Sequence, residues 1–201
     1  MIEDNKTDIV ERECFDDRVY QGRPIIHYNS SVNGGVYLGK SRREAIVVDS
    51  DRAPSLINLY RKAKERATED GKVRKSRVLR TVYNLVREAM PIQNNQLFEE
   101  LIRKKTVQDY EKILLGTFLR EGIGVSQHDA LACASLLESF RDEGHIGGKA
   151  NVNLNSSELG ENVWCRYTTS TGEVFILDVW QNYFGRLSNF NKVNYQISED
   201  F

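Results

Sequence analysis

Cysteine is scarce in this chain: Cys14, Cys133 and Cys165 are the three among 201 residues. An odd count with no CxxC spacing excludes a disulfide-stapled scaffold and a structural zinc site. Each thiol is expected to be a small buried or incidental side chain. Net charge is also slight, at −1, so the whole chain carries no field that draws it to nucleic acid or a membrane surface. No apolar run approaches the roughly 20 residues that a bilayer-spanning helix needs. The opening Met1-Ile2-Glu3-Asp4 has neither the basic nor the apolar block of a secretory signal, so a cytoplasmic location is expected. Export by a route with other signals stays open. Repeats and low-complexity linkers are missing too.

What is present is ordinary globular composition, 40 % hydrophobic and 28 % charged. Residues 1–15 are polar with no clear period and read as a loose start. From Arg18 to Val48 the texture is β. Val19-Tyr20, Pro24-Ile25-Ile26-His27-Tyr28, Val36-Tyr37-Leu38 and Ala45-Ile46-Val47-Val48 are strand-prone, with a turn at Asn33-Gly34-Gly35. Helical periods follow. Leu56, Leu59, Tyr60 and Ala63 share a face, as do Val78, Val82, Leu85, Val86 and Ala89, whose helix should stop at Met90-Pro91. Leu97, Phe98, Leu101 and Ile102 predict a third helix. A fourth is expected from Thr106, with Asp109 in a capping-box variant, carrying Tyr110, Ile113, Leu114 and Phe118 inward and ending at Gly122. Two glycines then lead into a central helix from Ala130 to Arg141, stopping near Gly144. Strands are expected at 150–154, 163–167 and 174–179, with Gly172 turning the last hairpin. The fold class is α+β: a helical layer with a central helix packed on an antiparallel β-sheet, plus a small N-terminal β segment. Residues 1–50 form the β appendage and residues 51–201 the main domain.

The chemistry centres on three stretches: Gly124-Val125-Ser126-Gln127-His128-Asp129-Ala130, Asn162-Val163-Trp164 and Ile176-Leu177-Asp178. Their gaps, 36 residues from 126 to 162 and 16 from 162 to 178, suit a helix, a strand and a hairpin. A group at a helix N-terminus sits in the positive end of the dipole, beside unpaired backbone N–H groups. A base on one strand and an orienting carboxylate on the next can line up with it.

This ordered set, from about Val78 to Tyr183, resembles the transglutaminase-like (papain-type) superfamily. That family places a nucleophilic cysteine after a glycine-led turn, His-x-Trp on a strand and Asp on the next. The resemblance implies Ser126, Asn162 and Asp178 at the catalytic positions, with Gly124, Gln127 and Trp164 as substrate-binding residues. It implies acyl transfer at an amide of a protein or peptide, to water (peptidase or deamidase) or to an amine (transglutaminase). It requires no metal and no organic cofactor. Two positions depart from the family: Ser126 replaces Cys, and Asn162 replaces His. A serine hydroxyl gains little from the dipole, and Asn accepts no proton at neutral pH. The chain as written is expected to be inefficient in the family's reaction. Two origins fit: a natural pseudoenzyme that keeps the cleft for binding, or an active-site cysteine exchanged for serine.

Simpler roles compete for each residue. Ser126 suits an N-cap, Asn162 a turn and Asp178 a strand end. His128 lies two steps past Ser126, a rotation of about 200° that turns it away on a regular helix. His145 reads as a loop residue and His27 as part of the N-terminal β region. Cys133, seven residues past Ser126, should be core, and Cys165 should face away from Asn162 across the sheet. Between Arg52 and Arg80, ten basic residues face Glu65, Glu69 and Asp70. No aromatic interleaving marks a nucleic-acid platform, so this run is expected to be a solvated helix pair, and nucleic acid is not an expected partner.

Overall fold

The computed structural model describes residues 19–39, 44–92, 94–105, 111–157 and 160–189. Cys14, Thr106, Asp109 and Tyr110, named above, lie outside these. Strands β1 (Val19–Tyr20) and β2 (Arg23–Pro24) form a tight hairpin through Gln21 and Gly22, whose φ of 46° and 82° suit that turn. Then come β3 (Val36–Leu38), β4 (Glu44–Val47) and helix α1 (Pro54–Ala67), which begins on Pro54. The small hairpin of β5 (Thr68–Glu69) and β6 (Lys72–Val73) turns at Gly71 into α2 (Lys75–Ala89). Helix α2 ends at Met90, before Pro91, as the periodicity predicts. Next are α3 (Asn95–Lys105), β7 (Glu111–Leu114), α4 (Leu115–Glu121) and the central α5 (Ser126–Asp142). The chain closes with β8 (Lys149–Ser157), β9 (Gly160–Thr168), β10 (Val174–Asp178), β11 (Tyr183–Arg186) and a short 3-10 turn, Leu187–Asn189.

The architecture is α+β. Strands β8 to β11 form an antiparallel meander in the order β11-β10-β9-β8. Helix α5 lies across β8, β9 and β10, with α1, α2 and α4 packed around it. Its buried side chains occupy almost its whole circumference, from Ala130 through Leu137 to Phe140. A helix buried on all sides needs partners on all sides, which the sheet and the helical layer supply. Strand alternation divides β9 cleanly. Val163, Cys165 and Tyr167 enter the main core with α5, while Trp164 packs with Ile176, Tyr183 and Leu187 on the far face.

Part of the fourth expected helix is a strand. Residues Glu111–Leu114 pair in parallel with β4, Ile46 opposite Ile113, and complete a three-stranded sheet β3-β4-β7. Ile113 is buried, but Leu114 is 44 % exposed instead of facing inward. Among the described residues the helix runs Leu115–Glu121 and ends on Gly122 in the left-handed conformation, φ 68°. Leu97 is likewise exposed, at 40 %, whereas Phe98, Leu101 and Ile102 are buried. Beyond β2, Ile25 makes a single bridge to Val36, and Ile26 to Tyr28 form no strand.

The N-terminal segment shares the main core through Ile26, Val32, Ile46 and Val48. A buried carboxylate fastens them. Glu138 of α5 accepts Ser31 Oγ at 2.9 Å, Val32 N at 3.0 and 3.1 Å, and Asn33 N at 2.9 Å. Asn33 adds reciprocal bonds to Ser135, through Nδ2 to the carbonyl and from the hydroxyl to Oδ1. No described helix is long and apolar enough to cross a membrane.

Candidate active site

The turn Gly122-Ile123-Gly124 delivers the chain to α5. Ile92 N donates to Gly122 O and Gly124 N to Ile92 O, which holds the turn against the end of α2. A Cβ on Gly124 would stand 2.9 Å from Met90 Sδ, so a side chain there would press on a buried neighbour. Gly124 is therefore a packing position at the base of the turn. Val125 is the N-cap, with extended backbone, and Ser126 is the first helical residue. The first helical bond runs from His128 N to Val125 O. By position, the amides of Ser126 and Gln127 precede it, at the positive end of the dipole.

Ser126 meets the sheet where β10 runs out. Strand β10 pairs with β9 only as far as Cys165, so Val163 has no strand partner on that side. Ser126 Oγ accepts the Val163 amide instead, at 3.3 Å. One residue along, Asn162 Nδ2 donates to Asp178 Oδ2 at 2.5 Å. The other oxygen of Asp178 accepts Gln181 N at 2.8 Å. Asn162 and Asp178 are thus in direct contact, and by strand alternation they share the Trp164 face of the sheet, whereas Ser126 opens α5 on the other face and touches the backbone beside Asn162. Among the described residues no hydrogen bond joins Ser126 Oγ to the Asn162 side chain. Asn162 Oδ1 is buried and has no hydrogen-bond partner, which costs about 1–3 kcal/mol. Gln127 is half-buried, with Nε2 near Gly39. Trp164 is fully buried in the far-face cluster and does not line an open cleft.

No imidazole reaches Ser126. His128 Nδ1 accepts the Val125 amide at 3.2 Å and closes the first turn. Its ring stacks on Phe118, centroids 3.9 Å apart, and lies 5.3 Å from Phe98. Burial pushes the imidazole down to about 3. His145 pairs with Glu143 at the other end of α5, and His27 sits in the loop after β2. Cys133 and Cys165 are buried, and desolvation raises both thiols, so neither is a thiolate at neutral pH.

His128 carries a prediction for stability. Unfolded, its imidazole takes a proton near 6.5; folded, it stays neutral down to about 3. The unfolded state therefore binds more protons between those values, and stability falls as pH drops below about 6.5. The expected loss from this residue is about 2 kcal/mol by pH 5. Urea unfolding at pH 7 and pH 5 checks it. His128→Gln, which keeps an acceptor for Val125 N, should show a shallower pH slope; equal slopes would remove His128 as the cause.

Four of the ten basic side chains of the run have a carboxylate partner among the described residues. Arg66 pairs with Glu88, Arg74 with Glu69 and Asp70, Arg77 with Glu69, and Lys64 with Glu143. These exposed pairs contribute little stability, but they break up the cationic surface. Among the described residues no cluster of His, Cys, Asp and Glu is arranged to hold a metal ion. No protein-family model, curated protein or solved structure matches the chain.

Proposed function

We propose that this chain is a transglutaminase-like protein whose acyl-transfer triad is disabled, and that its cleft serves to bind protein or peptide segments. Ser126 stands at the nucleophile position, Asn162 at the base and Asp178 at the orienting carboxylate. The observation that carries this is the 2.5 Å bond from Asn162 to Asp178, with the helix-opening hydroxyl of Ser126 on the amide of the next residue, Val163. It is the contact a base and its orienting carboxylate would make, formed by a group that cannot take a proton.

In the active form of such a site, a thiol attacks a carboxamide carbon and the base delivers its proton to the departing amine. Water or a second amine then releases the acyl group. Here the hydroxyl has no acceptor for its proton, because Asn162 uses Nδ2 as a donor and offers only a weakly basic oxygen. Turnover is lost while the cleft's framework is kept. The buried, unpaired Asn162 Oδ1 is an atom that stability alone does not retain, which points to a role beyond the fold's own packing.

The test is restoration. Ser126→Cys with Asn162→His should yield glutamine deamidation, amine incorporation or peptide cleavage where the parent chain has none. A double variant that melts like the parent and turns over none of these substrates would overturn the reading.

A further inference from the structure

Two arginines next to this site differ from the others on the same helix. Arg74, at the N-cap of α2, and Arg77 in its first turn are neutralised by Glu69 and Asp70. Arg80 and Arg87, further along, have no carboxylate partner among the described residues. Neutral groups position them instead. The Arg80 guanidinium lies 4.6 Å above the Phe184 ring. Arg87 donates to Asn182 Oδ1 at 3.0 Å and lies 5.7 Å from the Tyr83 ring. Tyr83 and Phe184 are themselves 5.5 Å apart, so the rings form one floor beneath both cations.

This cluster is joined to the candidate site. Asn182 accepts from Tyr83 Oη at 3.1 Å as well as from Arg87. Its neighbour Gln181 donates to Asp178, which accepts from Asn162. A line of hydrogen-bonded residues thus runs from Asn162 to the Arg87 guanidinium. The turn that creates it has Asn182 at φ 53°, a conformation Asn tolerates better than most residues. Tyr83 cannot neutralise the cations, because burial raises its phenol and keeps it protonated.

We propose that Arg80 and Arg87 form a subsite for an acidic peptide, receiving carboxylates next to the part that enters the cleft. This rests on the reading of the cleft as a peptide site and names its partner class. The charges are unspent, exposed and held in place, so little side-chain freedom is lost on binding. A guanidinium presents a planar fork that matches a carboxylate. Arg80 and Arg87 are seven residues apart, about 10.5 Å along the helix. Carboxylates three residues apart on a peptide in the polyproline II conformation share a face and lie about 9 Å apart, which fits that spacing.

Fluorescence anisotropy on the full chain tests this, with a labelled ten-residue Gly-Ser peptide carrying Glu-x-x-Glu as probe. Its Gln-x-x-Gln counterpart and a ten-nucleotide single strand are the comparisons. The acidic peptide should bind about tenfold or more tighter than the amide peptide, and the gap should close as salt rises. Arg80→Gln with Arg87→Gln should abolish that gap. Should that variant fail to fold, Asn182→Asp neutralises Arg87 without removing it and should also narrow the gap. Equal affinity for both peptides, or tighter binding of the nucleotide strand through the same arginines, overturns the subsite. Gln127→Trp, which puts a bulky ring next to Ser126, separates the two readings. If it abolishes peptide binding while the arginine variants leave it intact, the cleft reading stands and the subsite falls. If binding depends on the arginines but ignores Gln127→Trp, the subsite stands and the cleft reading falls.

Discussion

Ser126→Cys alone and Asn162→His alone should each leave the chain nearly inert, whereas together they should raise acyl transfer by about three to four powers of ten over background. The reason for such non-additivity is chemical. A thiol at the start of α5 gains from the dipole and from neighbouring amides, but its attack still needs a group to protonate the departing amine. An imidazole at position 162 without a thiol nearby has nothing productive to activate. Asp178 is already placed for the new ring: its Oδ2 accepts from the residue-162 side chain at 2.5 Å. A donating imidazole N–H in that place would be held in one tautomer, with its second nitrogen directed elsewhere. Adding Asp178→Ala to the double variant should therefore lose most of the gain. Ammonia release from a glutamine peptide and labelling of the new thiol by iodoacetamide are the measurements. A reactive thiol with no ammonia release would show that position 162 cannot serve as the base, and the assignment of that residue would fail.

Removal of the Glu138 carboxylate is expected to cost about 4 kcal/mol. Three donors converge on it, the amides of Val32 and Asn33 and the Ser31 hydroxyl. Val32 is wholly buried and Glu138 is 1 % exposed, so water does not replace the lost acceptor. Bonds to a charged acceptor contribute about 1.5–3 kcal/mol each, and an orphaned buried amide adds a desolvation cost. Glu138→Ala creates that situation at two amides together, against a total stability of about 5–15 kcal/mol for a domain. Glu138→Gln retains one carbonyl oxygen and should lose about half as much. Urea titration gives the magnitude. Hydrogen exchange should show residues 31–36 opening before α5 does. A Glu138→Ala variant within 1 kcal/mol of the parent, taken as roughly the contribution of one ordinary hydrogen bond, would mean that the carboxylate does not fasten the N-terminal strands.

Much of the architecture was legible along the chain. Helices α1 and α2 follow from apolar residues three and four apart. The meander β8 to β10 follows from alternation and from the turn at Gly172. Local spacing was enough there because each element's partner is its neighbour in sequence. The two glycines announced α5, though it begins at Ser126 and not at the expected Ala130, and positions 162 and 178 were legible on successive strands. The opposite faces of Asn162 and Cys165 came from strand period alone.

Other features depend on partners that the chain brings from far away. Residues 111–114 have helical spacing in isolation, yet they become a strand because β4 presents an open edge to them. Glu138 looks like a solvated position on a helix, but a loop more than 100 residues earlier turns its amides onto it. His128 has a chemically active ring whose role is decided by Phe98 and Phe118 closing over it. The contact between Ser126 Oγ and the Val163 amide exists only because β10 stops short of that point. Sequence period reports which way a side chain points relative to its own element. Which donor, ring or strand edge fills the space it points into is set by the packing of whole elements, and that decided the chemistry of this site.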